Sequence, residues 1–153
     1  MIFIIEGPDG SGKSTLAEKL SKQTGYPVVH RSQPKTEEEK KRMMGQYLAA
    51  IDNGKSIIFD RCWYSEMVYG PVMRDASVIS YPEMYLLEEK LAKNGAIIIY
   101  CTDKPKTLWR RATKRGEDYV TDYDTFERIC TGFDVLMSVP HIIPVVKYDY
   151  KDL

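Results

Sequence analysis

The chain opens on an apolar run, Met1–Ile2–Phe3–Ile4–Ile5, and passes at once into Gly7–Pro8–Asp9–Gly10–Ser11–Gly12–Lys13–Ser14–Thr15. Glycines at the first and sixth positions, followed by Lys and Ser, fit the spacing G-x-x-x-x-G-K-[ST]. This pattern restricts the fold sharply, because it needs a buried strand before it and a helix after it. Glycine lets the backbone curl through positive φ and approach a ligand closely. The exposed N–H groups then converge on phosphate oxygens, and the following helix adds the positive end of its dipole. Lys13 is placed to reach the β- and γ-phosphates, and the Ser14 hydroxyl to complete a Mg²⁺ shell. Asn53–Gly54–Lys55–Ser56 also contains Gly-Lys-Ser, but Ala49 stands where the first glycine belongs. Gly54 reads there as a helix C-terminal cap.

Apolar runs alternate with helical patterns along the rest of the chain. Strands are expected at Met1–Ile5, Tyr26–His30, Ser56–Phe59, Ala96–Cys101 and His141–Tyr148. Helices are expected over Ser14–Thr24, from Thr36 through Met44, Tyr47, Leu48 and Ile51, over Trp63–Tyr69, from Ser80 to about Asn94, from Pro105 to Arg115, and around Phe126–Phe133. Ser80–Tyr81–Pro82–Glu83 has capping-box spacing. Continuous apolar strands between helices predict an α/β fold: a five-stranded parallel sheet flanked by helices on both faces. Ligands of such sheets bind beyond the C-terminal strand ends. Those ends carry the glycine loop, His30–Arg31, Asp60–Arg61 and Thr102–Asp103.

With 153 residues the chain fits one domain with a single core. Lys+Arg and Asp+Glu are both 22, so no global field recruits nucleic acid, and an anionic ligand must be held by local clusters. Cys62, Cys101 and Cys130 are odd in number and widely spaced, which points to free thiols in a reducing compartment. No apolar stretch approaches a membrane span or a signal peptide, and the cytoplasm is the expected home.

Asp60 follows the third strand beside the glycine loop, where a carboxylate can hold Mg²⁺ directly or through water. Arg61 next to it can fork onto a phosphate. Taken with Ser65 and Tyr69, these segments resemble the thymidylate kinase and deoxynucleoside (mono)phosphate kinase group of P-loop kinases. The resemblance implies a P-loop kinase fold and transfer of the γ-phosphoryl of ATP, with Mg²⁺, to a deoxynucleotide or deoxynucleoside. On that basis Gly10, Ser11, Gly12, Lys13, Ser14 and Thr15 bind ATP, and Ser14 and Asp60 hold the metal. Lys13, Arg61, Arg111 and Arg115 neutralise charge during transfer. Arg111 and Arg115 are four apart on one helix face, like a family lid, here about residues 106–121.

Asp9, pointing outward from the loop, matches a family carboxylate that contacts the acceptor. Arg31, Arg61 and Arg74 suit an acceptor phosphate, and Ser65 and Tyr69 complete the substrate-binding set. Tyr47, Trp63, Tyr64 and Tyr69 are the aromatics available to stack on a base. His30 and His141 read as structural. The small-molecule partner is thus a nucleotide, a thymidylate-like monophosphate first, and the family analogy suggests a homodimer. The region around residues 36–80 is trimmed relative to a full thymidylate kinase.

An alternative keeps the kinase and changes the acceptor to a nucleoside, another metabolite hydroxyl or a hydroxyl on DNA. Zero net charge argues against the polymer. A nucleotide-binding switch would need a guanine-reading Asn-Lys-x-Asp segment, which the chain lacks. A P-loop fold without catalysis is disfavoured by the intact Lys13, Ser14 and Asp60.

Overall fold

The computed structural model describes residues 1–30, 34, 36–116 and 120–149. Five strands, β1 (Ile2–Glu6), β2 (Val28–His30), β3 (Ile57–Asp60), β4 (Ala96–Thr102) and β5 (Val145–Asp149), form one parallel sheet in the order β2-β3-β1-β4-β5. Six helices join them: α1 (Lys13–Thr24), α2 (Glu37–Asp52), α3 (Trp63–Arg74), α4 (Tyr81–Ala92), α5 (Pro105–Lys114) and α6 (Tyr123–Ser138). The expected α/β architecture is therefore observed.

Because strand side chains alternate between faces, β1 feeds two cores. Ile2 and Ile4 pack with Phe59, Ile98 and Tyr100 beneath Tyr47, Trp63, Leu87, Leu108 and Phe133 of the helices. Ile5 and Phe3 face the other way, toward Ile58, Cys101, Leu16, Ala17 and Leu20. Burial on both faces is what makes the inner strands β1, β3 and β4 read as apolar runs.

The helix ends follow their sequence signals. Thr36 caps α2 by accepting from the Glu39 N–H, and three glutamates in the first turn complement the helix dipole. Ser80 and Glu83 form the reciprocal capping box that starts α4. Two elements depart from expectation. The helix expected to end at Tyr69 runs on to Arg74 through Pro71, where Gly70 sits too close to the Glu66 carboxylate and the Ala76 carbonyl to carry a side chain. The last strand begins at Val145 and not at His141, since His141 and the Ile142 N–H are claimed by Glu88 of α4.

In register, Ile5 lies beside Asp60, His30 beside Asp60, and Glu6 beside Tyr100. The C-terminal ends of β1, β2 and β3 thus stop together, and the glycine loop rises from β1, the middle strand of the sheet. All three cysteines are buried free thiols.

Candidate active site

The loop from Gly7 to Gly12 is shaped by its contacts with neighbouring backbone. Gly7 has φ 152°, and a Cβ on it would stand 2.1 Å from the Cys101 carbonyl oxygen at the end of β4. Gly10 has φ 79°, and a Cβ there would stand 2.4 Å from the Leu108 carbonyl oxygen of α5. Gly12, also left-handed, is the N-cap of α1 and offers no side-chain cap, so the first N–H groups of α1 keep their capacity for an anion. Ser11 donates to the Pro8 carbonyl at 2.6 Å, and Lys13 Nζ donates to the same oxygen at 2.8 Å. Lys13 is buried, and this burial lowers its ammonium pKa to about 8 against the pull of Asp9 and Asp60.

Beside the loop, Ser14 Oγ donates to Asp60 Oδ2 at 2.9 Å. Asp60 is itself buried, and the exposed His30 approaches the same oxygen with Nδ1 at 2.8 Å. His30, expected to be purely structural, therefore belongs to this site. Its partner comes from a neighbouring strand, and the sequence does not show the pairing.

The chain turns sharply at the next residue. Arg61 has φ 70°, a left-handed conformation uncommon outside glycine, and its N–H bonds back to the Ile5 carbonyl. The turn sends Arg61 away from Asp60 and across the loop. Its Nη1 donates to Ser65 Oγ at 2.9 Å and to the Gly7 carbonyl at 3.2 Å, and its Nη2 bonds Asp9 Oδ1 at 2.5 Å. The guanidinium lies 5.4 Å from the centre of the Tyr69 ring. Asp9, Arg61, Ser65 and Tyr69 are thus one cluster, as the sequence suggested. Tyr69 serves it from below, buried, with Arg61 against its ring.

Glu6, the last residue of β1, is a member the sequence reading did not assign. Its carboxylate is fully buried and accepts from the Cys62 N–H and from Ser65 Oγ, the latter at 2.6 Å. Burial pushes its pKa up to about 7 despite Arg61, Ser65, Cys62 and Lys13, which all favour the charged form.

Other expected residues lie further out. Arg74 is paired with Glu66. Arg111 Nη2 holds Asp103 at 3.2 Å, whereas Arg115 is the exposed C-cap of α5. α5 is anchored by the buried Leu108 and Ala112. Arg31 and residues 117–119 of the expected lid lie outside the described residues. Of the aromatics offered for stacking, Tyr64 belongs to the core, its hydroxyl donating to Glu88, and presents no face to a base. Tyr47 and Trp63 are core residues as well, edge-on to each other, but they line one wall of a narrow cleft of about 10 Å³ between α2 and α3. Lys40, Met44, Ser65 and Glu66 line it too, so the cleft adjoins the Arg61 cluster.

Among the described residues no three or more His, Cys, Asp or Glu form a metal cluster, and no helix is long and apolar enough to cross a membrane. The Ser14 hydroxyl and Asp60 carboxylate are hard oxygen donors, a pair that fits Mg²⁺, which binds through one or two protein oxygens and fills its shell with water and phosphate.

The chain resembles the SPbeta prophage-derived uncharacterized protein YorR of Bacillus subtilis (strain 168), with 29% identity over 123 residues, 80% of this chain and 74% of the relative. The crystal structure of YorR, in complex with phosphorylated GDP, superposes with a TM-score of 0.80 at 26% identity, covering 97% of this chain and 85% of that one. Deoxyadenosine kinase from M. mycoides, with bound dATP, shares the fold at a TM-score of 0.67 and 20% identity, covering 99% of this chain and 94% of that one. Polyphosphate kinase 2 from Arthrobacter aurescens TC1 shares it at a TM-score of 0.71 and 16% identity, covering 95% of this chain and 59% of that one. The motifs that resembled the thymidylate kinase and deoxynucleoside kinase group thus sit in a P-loop kinase fold, one shared with a deoxyadenosine kinase. The model of the family described as Polyphosphate kinase 2 (PPK2) matches residues 1–128, and the chain belongs to this family of kinase-type phosphotransferases.

Proposed function

We propose that this chain is a single-domain nucleotide kinase that transfers the terminal phosphoryl group of ATP to a (deoxy)nucleoside monophosphate. One observation carries the reading. Two adjacent residues at the end of β3 face opposite sides of the phosphate loop, Asp60 toward Ser14 and Arg61 toward Asp9. One side suits the donor phosphates and their cation, the other the acceptor.

Ser14 and Asp60 would hold Mg²⁺, which supplies charge neutralisation between the donor phosphates. Lys13 is a buried ammonium that can exchange the Pro8 carbonyl for phosphate oxygens. The N-terminus of α1 supplies N–H groups to the same oxygens. On the acceptor side, Arg61 is a preorganised fork, held by Asp9, Ser65 and Tyr69, that meets the acceptor phosphate. The nucleoside half extends toward the narrow cleft lined by Tyr47, Trp63 and Glu66, which must widen to receive it. In the transfer, an acceptor phosphate oxygen forms the new P–O bond as the bond to the β-phosphate bridging oxygen breaks. The electron pair leaves on the nucleoside diphosphate, and no protein atom becomes bonded to phosphorus. Alignment and charge neutralisation supply the catalysis. Arg111 and Arg115, on the basic helix, are the further cations proposed to meet the transferring group.

Membership of the polyphosphate kinase 2 family favours a second reading of the donor, with polyphosphate in place of ATP. The acceptor is assigned by panel: dTMP first, from the motif resemblance, with guanine nucleotides beside it, because the YorR structure contains phosphorylated GDP. Purified protein with Mg²⁺ is incubated with ATP or polyphosphate and each nucleotide, and products are followed by ³¹P NMR. Formation of the acceptor's next higher phosphate is expected. Its absence with every pair would refute the proposal.

A further inference from the structure

We propose that Glu6 is a positioning residue for phosphoryl transfer, fixing the direction of the Ser65 hydroxyl and through it the seat of Arg61. This deepens the proposed function and rests on its assignment of Arg61 to the acceptor side.

The argument is one of hydrogen-bond polarity. Both oxygens of Glu6 are spoken for, one by the Cys62 N–H at the start of α3 and the other by Ser65 Oγ at 2.6 Å. At pH above about 7, to which burial raises its pKa, Glu6 is an ionised carboxylate with no hydrogen to give, so Ser65 must donate to it. The single hydroxyl hydrogen is then committed, and only lone pairs of Ser65 face outward. Arg61 Nη1 donates into them at 2.9 Å. Arg61 has no acceptor capacity, so a Ser65 hydrogen aimed at it would repel it. The chain Glu6 ← Ser65 ← Arg61 therefore has one allowed direction, set at its buried end. The other holds on Arg61, the Gly7 carbonyl and Asp9, both lie in the phosphate loop that follows Glu6 directly. One short segment, residues 6–9, thus orients the guanidinium from three sides.

The substitution Glu6→Gln tests this with almost no change of shape. If the amide oxygen keeps the Cys62 N–H, the amide nitrogen donates to Ser65, which takes up one of its two lone pairs and leaves its hydrogen without the acceptor that Glu6 supplied. If the amide is flipped, its nitrogen faces the Cys62 N–H, donor against donor. Either way one hydrogen bond of the chain is lost and the direction of the Ser65 hydroxyl is no longer fixed.

Steady-state kinetics of wild type, E6Q, S65A, R61A and the double variant E6Q/S65A are measured with the acceptor and donor found above. E6Q is expected to lower kcat about tenfold or more while changing the donor KM less than about threefold, the signature of an interaction on the acceptor side. The double variant is expected to fall no more than about threefold below the worse single one, because both act through one chain of bonds. Unchanged kcat in E6Q alongside an inactive R61A would overturn the positioning role and leave the function standing. Fully additive losses would overturn it too. If wild type transfers no phosphoryl group, the functional reading fails, and ¹⁵N spectra of the Arg61 guanidinium decide the positioning. Restrained, resolved Nη signals in wild type that average in both E6Q and S65A support it. Identical signals in wild type and E6Q refute it.

Discussion

Replacing Glu88 of α4 by Gln should destabilise the fold far from the phosphate loop, and the cost can be worked from three hydrogen bonds. The Glu88 carboxylate is fully buried. It accepts from Tyr64 Oη at 2.8 Å, from His141 Nδ1 at 2.7 Å and from the Ile142 N–H at 2.7 Å. His141 Nε2 meets the Leu136 carbonyl at 2.8 Å, so both ring nitrogens face acceptors and the ring carries both protons. Burial alone would lower the His141 pKa, but the bonds to Glu88 and Leu136 outweigh it and raise the value above 6.5.

Glutamine offers one oxygen to three donors, and its amide nitrogen must face at least one of them. An orphaned buried donor costs about 1–3 kcal/mol, and the imidazolium loses its counter-charge as well, so about 3 kcal/mol is expected, at the low end for breaking a buried pair. At roughly 2–4 °C per kcal/mol for a chain of this size, Tm should fall by about 6–12 °C. The sign of the pH dependence follows from the raised pKa. The His141 contribution is fully present below about pH 6.5, the unfolded value, and fades as pH rises through the higher folded value. Thermal melts of wild type and E88Q at pH 6 and pH 9 should therefore show a wider gap at pH 6. A gap under about 2 °C at pH 6, or one unchanged by pH, would refute the reasoning.

Three further outcomes are expected. Gly10→Ala places a methyl group on the Leu108 carbonyl at positive φ, so it should cost about 1–3 kcal/mol in urea denaturation and weaken nucleotide binding. Lys13 loses its proton as pH rises through about 8, so affinity for a nucleoside triphosphate, measured by calorimetry, should fall about tenfold per pH unit above that value and lose this dependence in K13M. Arg61→Lys keeps the charge but not the planar fork across Ser65, Gly7 and Asp9, so kcat/KM for the acceptor should fall by about 10²–10³ in steady-state assays.

The parts of this molecule that were legible in its sequence are those written by neighbouring residues. The glycine loop, the capping box at Ser80 and the cap at Thr36 each lie within a few positions, and the apolar runs mark strands because both faces of the sheet are covered. Asp60–Arg61 was legible because a strand end beside a phosphate loop is where such residues act. Glu6 was not, since its partners Cys62 and Ser65 are 56 and 59 residues away. His30 was misread for the same reason, its carboxylate partner standing on the adjacent strand. Tyr64 looked available for stacking because a helical aromatic shows nothing of which way it turns. Its hydroxyl turns inward to a carboxylate 24 residues away. The helix expected over Trp63–Tyr69 runs on through Pro71 to Arg74, and Gly70 within it packs closely against the Glu66 carboxylate and the Ala76 carbonyl.

The seats beneath Gly7 and Gly10 also bear on how such a loop could be exchanged between proteins. What each glycine meets is main chain, the carbonyls of Cys101 and Leu108. Side-chain changes on α5 therefore cannot make room for a bulkier loop, because that room depends on the path of the helix backbone. A single residue inserted within α5 between Pro105 and Leu108 would turn the rest of the helix by roughly 100° relative to its first turn and drag the loop's support with it. A phosphate loop grafted from a relative would have to bring its own α5, so the two segments form one unit of inheritance although nearly a hundred residues separate them.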